Sequence, residues 1–78
     1  MDFAQILTHI RIELVRAKQL HPQFPTDPIH QTSIMVEEAG EALRAALNFY
    51  YHNEDIAKLK TELIQTGAMV FRVLENLP

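Results

Sequence analysis

The stretch VEEAGEALRAAL, residues 36–47, sets three glutamates and a glycine among apolar neighbours on a segment that reads as helix. Glu38 and Glu41 are three apart, so their side chains leave one helix face with Cβ atoms about 5–6 Å apart, where like charges repel. A second stretch, TELIQTG at 61–67, carries a matching pair three apart, Glu62 and Gln65. In an antiparallel hairpin, residues at one height have numbers of constant sum. Residues 38 and 65 share their sum with 41 and 62, and both pairs are centred beside His52 and Asn53. This register predicts Glu38 level with Gln65 and Glu41 level with Glu62. Gly40 and Gly67 lie close by, each costing about 1 kcal/mol relative to alanine inside a helix, which suggests close backbone approach there.

Working outward, the polar run HNED at 52–55 ends one helix and starts the next, with Asn53, Glu54 and Asp55 supplying a cap and an acidic first turn. Upstream, Asp27 before Pro28 is a strong start signal: the carboxylate caps free N–H groups and proline fits the first helical position. The connector HPQFPTDP has prolines at 22, 25 and 28, too many for a helix interior. Phe3, Leu7, Ile10, Leu14 and Ala17 recur at the 3-4 spacing of one helix face, with Asp2 and Gln5 placed as a capping pair. The expected chain is a single domain, 1–78, of helices at about 3–20, 28–51 and 54–77, with a rigid connector at 21–27. No strand signal, repeat or low-complexity tract intervenes, so the fold class is all-α, an antiparallel three-helix chain.

Size makes self-association the natural remedy for thin stability. A chain of 78 residues buries only about 60% of its unfolded surface, and no cysteine is present as a staple. Helix two is apolar on several sides, counting Ile34, Met35, Val36, Ala39, Ala42, Leu43, Ala46, Leu47 and Phe49, as befits a helix surrounded by others. With the aromatic run Phe49, Tyr50, Tyr51 beside it, this predicts an oligomeric helical bundle, a homodimer with helices two and three at its centre. The net charge of −3 without a Lys/Arg cluster argues against a nucleic-acid polymer as partner. No apolar run reaches the roughly 18 residues of a membrane span, and the start MDFAQILTHIR has an acid where a secretion signal wants bases. A cytoplasmic location is the expectation.

Carboxylates converging between helices are poorly tolerated unless a cation joins them. A hard divalent cation, Mg²⁺ with Mn²⁺ as substitute, takes oxygen ligands and keeps waters that a phosphate can displace. Glu38, Glu41, Glu62 and Gln65 are the candidate ligands. The alternative is a solvated acidic face continued by Arg44, Asn48 and His52.

EExxE at 37–41, twenty residues, then ExxQ at 62–65 resembles the signature of the MazG-like all-α nucleotide pyrophosphohydrolases, EExxE followed by ExxD. The likeness spans roughly residues 28 to 77. It implies a helical bundle that dimerises, or forms a dimer of dimers, and cleaves a nucleoside triphosphate to monophosphate and pyrophosphate with Mg²⁺. Carried over by position, Glu38, Glu41, Glu62 and Gln65 would be the metal ligands. Gln65 departs from the pattern by replacing a carboxylate with an amide, which weakens the site. The phosphoribosyl-ATP pyrophosphohydrolase branch shares the acidic motif and fits less well. A non-catalytic nucleotide-binding or structural dimer of the same fold is the alternative that Gln65 keeps open.

In that chemistry Glu37, turned about 100° from Glu38, would be the catalytic candidate that supports the ligands or orients water; a surface ion pair is its ordinary role. Lys58, one turn before Glu62, would bind substrate phosphate or simply pair with Glu62. Phe24 in the connector would stack on a base or anchor the connector to the core. Arg11, Arg16, Lys18 and Arg72 are unranked phosphate candidates. The histidines His9, His21, His30 and His52 have no spacing for a zinc pair, and His9 with Glu13 reads as an exposed i,i+4 contact.

Overall fold

The computed structural model describes residues 1–78 and contains three helices and no strand: α1 (Phe3–Leu20), α2 (Pro28–His52) and α3 (Ile56–Asn76). Local chemistry accounts for each end. Asp2 accepts from the Gln5 backbone N–H at 2.8 Å while the Gln5 side chain accepts from the Asp2 N–H at 2.9 Å, a reciprocal capping box. Asp27 accepts from the His30 N–H at 2.9 Å, with Pro28 opening α2.

The third helix starts later than the expected residue 54. Asn53 adopts a left-handed φ of 54° and ends α2, a conformation that asparagine tolerates better than most residues. Asp55 then caps α3 through the Ala57 N–H at 3.0 Å. The polar run is thus consumed by one stop and one start, and the first turn of α3 carries no acid.

Both α1 and α2 pack on α3, whereas α1 and α2 do not pack on each other. α3 is therefore the shared partner. Only seven of the 78 residues are buried, and their chemistry is mixed: Ala42, Ala45, Ala68 and Val73 beside Gln31, Glu62 and Arg72. Alanines let α2 and α3 approach, and Glu62 is buried where the two helices meet. On the expected α1 face, Ile10, Leu14 and Ala17 are half-buried, but Phe3 and Leu7 are exposed.

The glycines do not mark a close approach of α2 to α3. A Cβ built at Gly67 meets Ile10 Cδ1 of α1 at 3.0 Å, while one at Gly40 meets nothing within 4 Å. Gly67 makes room for α1, and Gly40 lies on an exposed side.

Two buried polar side chains fix the connector. Gln31 Nε2 donates to the Pro25 carbonyl at 2.7 Å. Arg72 Nη2 donates to the His21 carbonyl at 2.6 Å, and its guanidinium carbon lies 4.5 Å from the centre of the Phe24 ring. Phe24 thus anchors the connector through a cation–π contact. No helix is long and apolar enough to cross a membrane.

Candidate metal centre

Glu38 and Glu41 of α2 and Glu62 of α3 each direct a carboxylate oxygen to a common place, with those oxygens within 4.8 Å of one another. Helical spacing puts the first two on one face, and the packing of α3 on α2 brings the third to them. Burial is graded across the three: Glu41 is exposed, Glu38 half-buried, and Glu62 buried with 7% of its surface accessible.

One neighbouring cation offsets part of this charge. Lys58 Nζ lies 3.4 Å from Glu62 Oε1, the expected contact one helical turn away. Glu62 Oε2 and Glu38 Oε2 are buried without a hydrogen-bond partner. A buried, unpartnered carboxylate oxygen is expensive, and two of the three clustered glutamates hold one. Burial pushes the Glu38 carboxyl above the ordinary carboxylate value, and the negative charges of Glu41, Glu62, Glu13 and Glu37 push it the same way.

This donor set fits a hard divalent cation. It offers carboxylate oxygens alone, gathered within 4.8 Å of one another, and two of these glutamates also hold a buried oxygen without a partner. Nitrogen and sulfur donors, which would favour zinc or copper, are absent from it.

The remaining candidate residues separate. Gln65 lines a narrow cleft with Glu38, and Glu41 lines another with Glu62, Lys58, Arg44 and Asn48. Glu37 is exposed on a different surface, beside Pro28, Thr32 and Ser33, and does not join the carboxylates. Phe24 sits beside Lys18, Pro22, Arg72 and Glu75, outside the clefts that hold the acids. Of the other cations, Arg16 pairs with Glu13 at 2.7 Å and Lys18 with Glu75 at 2.7 Å. Arg72 is buried against the connector, which leaves it no reach for a phosphate.

Sequence reasoning missed two residues near this seam. Gln31, two turns before Glu38, is the most buried large side chain, with its Oε1 unpartnered. Glu13 pairs with Arg16 rather than His9, and from α1 it lines one cleft with Glu38. Neither carries a local sequence signal: Glu13 reaches the site only through the packing of α1 on α3, and Gln31 is buried by its bond to the Pro25 carbonyl of the connector.

No protein-family model, curated protein or solved structure matches the chain.

Proposed function

We propose that the protein is a metal-dependent nucleotide pyrophosphohydrolase of MazG-like type, cleaving a (deoxy)nucleoside triphosphate to its monophosphate and pyrophosphate. The observation that carries this reading is the convergence of three glutamate oxygens within 4.8 Å, two of the glutamates having a buried oxygen with no partner. Glu38, Glu41 and Glu62 would hold Mg²⁺, or Mn²⁺ in its place, with Gln65 adding an amide oxygen. The bound cation would supply charge neutralisation for the triphosphate and acidify a water.

The chain's own residues do the rest. The acids fix where a triphosphate's charge is neutralised, and positioning is most of what phosphoryl-type transfer asks of a protein. Lys58 and Arg44, on the cleft shared by Glu41 and Glu62, would meet phosphate oxygens beside the cation. Lys58 is held by Glu62 in the free protein, so substrate would compete for it. Glu37 would act only from outside the cluster, orienting water or nothing at all. The antiparallel register of α2 and α3 is part of the same reading, because it pairs Glu38 with Gln65 and Glu41 with Glu62.

Self-association completes it. Val36, Leu43 and Leu47 of α2 and Leu63 and Leu74 of α3 are exposed, and Gly40 lies between Val36 and Leu43 on the same stripe. So much apolar surface on two adjacent helices is what an intersubunit seam provides. A homodimer, or a dimer of dimers, would cover it.

The test is a panel of nucleoside triphosphates incubated with the protein and Mg²⁺ or Mn²⁺, followed by pyrophosphate detection. Pyrophosphate that disappears in folded Glu41→Gln and Glu62→Gln variants supports the hydrolase. Cation binding without turnover on any nucleotide favours the second reading, a non-catalytic nucleotide-binding dimer, for which the amide at Gln65 is the favouring observation.

A further inference from the structure

We propose that Glu13 of α1 is a positioning residue for the cation site, acting through Gln65. This rests on the cation reading above. Gln65 borders two clefts together with Glu13: one with Arg16, His21 and Glu38, the other with His9 and Lys60. The Glu13 side chain is only 17% exposed, and Arg16 Nη1 donates to its Oε1 at 2.7 Å from the solvent side. That leaves Oε2 for a second donor. Glu13 and Glu38 line the same cleft, so α1 lies close to the acids.

An amide has two unlike ends, an acceptor oxygen and a donor NH₂. Only the oxygen can face a cation, and the amide takes that orientation when an acceptor holds its NH₂ from behind. Glu13 is the carboxylate present on the α1 side of Gln65 in both clefts. With a cation among Glu38, Glu41 and Glu62, Gln65 Nε2 would donate to Glu13 Oε2 and leave Gln65 Oε1 to face the ion. Outer residues of this kind orient ligands, and removing one typically weakens metal binding about 10–100-fold. The buried Glu62, with its unpartnered Oε2, fixes the place toward which the amide must point.

A carboxylate at position 65 has no NH₂ to anchor and repels Glu13 instead. The role of Glu13 should therefore change sign with the residue at 65. Mn²⁺ affinity is measured by calorimetry for the native chain, Glu13→Gln, Gln65→Glu and the double variant, with metal-free thermal unfolding as a check on folding. Expected is an affinity loss of about 10-fold or more for Glu13→Gln, and no loss, or a gain, when the same change is made in the Gln65→Glu background. An unchanged affinity in Glu13→Gln, or an equal loss in both backgrounds, overturns the positioning role while leaving the cation site standing. Absence of Mn²⁺ binding by the native chain overturns the site itself and this inference with it.

Discussion

Lys58 Nζ stands 3.4 Å from Oε1 of Glu62, a carboxylate with 7% of its surface accessible, and is the only cation paired with it. The lysine is mostly in solvent, so the pair is weakly held and one oxygen of Glu62 stays unpartnered. Lys58→Met should destabilise the cation-free protein by about 0.3–0.5 kcal/mol, the scale of a largely screened i,i+4 ion pair. With saturating Mg²⁺ the difference should shrink, since a divalent ion replaces the ammonium as partner. Urea unfolding of both proteins with and without Mg²⁺ checks this; an equal difference in both conditions means that Lys58 and the cation do not share Glu62.

The raised proton affinity of Glu38 gives a pH dependence of definite sign. Its folded-state value lies above the ordinary 4.5, so between the two values the folded protein holds a proton that the unfolded chain has released. The stability from this group is fully present below 4.5 and is lost as pH rises through the folded value. Cation-free native protein should therefore gain in Tm relative to Glu38→Gln as pH falls from about 8 toward about 5. Saturating Mg²⁺ should reverse the trend, because cation and proton compete for one carboxylate. Parallel scans across pH that stay superimposable would show that Glu38 feels no crowding.

The exposed apolar stripe predicts self-association. Native protein at tens of micromolar should sediment as a dimer or larger, and Leu43→Lys, which places a charge among Val36, Leu47 and their neighbours, should shift it toward monomer with a lower Tm. A native monomer at that concentration removes the subunit seam from the proposal.

Much of this architecture is written locally. Asp2 with Gln5, and Asp27 with Pro28, set two helix starts because capping depends on side chains within three residues of the N–H groups they satisfy. The convergence of Glu38, Glu41 and Glu62 was also legible, since helical spacing and one short connection suffice to bring them together. What the sequence hid depends on the placement of α1. Gly67 looked like a mark of contact between α2 and α3, yet it faces Ile10. Glu13 looked like a surface residue and turns out to border the cleft beside Gln65. Arg72 looked free for phosphate and is buried on His21 and Phe24. Each of these depends on contacts across long stretches of chain, for which periodicity carries no signal. Asp55 rather than Asn53 caps α3 because Asn53 is used to end α2, a competition between two adjacent demands on one short segment.

The direct measurement is Mn²⁺ binding followed by the electron paramagnetic resonance signal of free Mn²⁺, for native protein and for Glu62→Gln, with Tm recorded on the same samples. The native chain should take up Mn²⁺. At about ten times its Kd the ion adds about 1.4 kcal/mol of stability, which raises Tm by about 6–11 °C in a domain of this size. Glu62→Gln should be as stable as native protein, or more so, without the ion, and should lose both the uptake and the Tm response. Native protein that leaves millimolar Mn²⁺ free and melts at an unchanged temperature would contradict a cation site between α2 and α3.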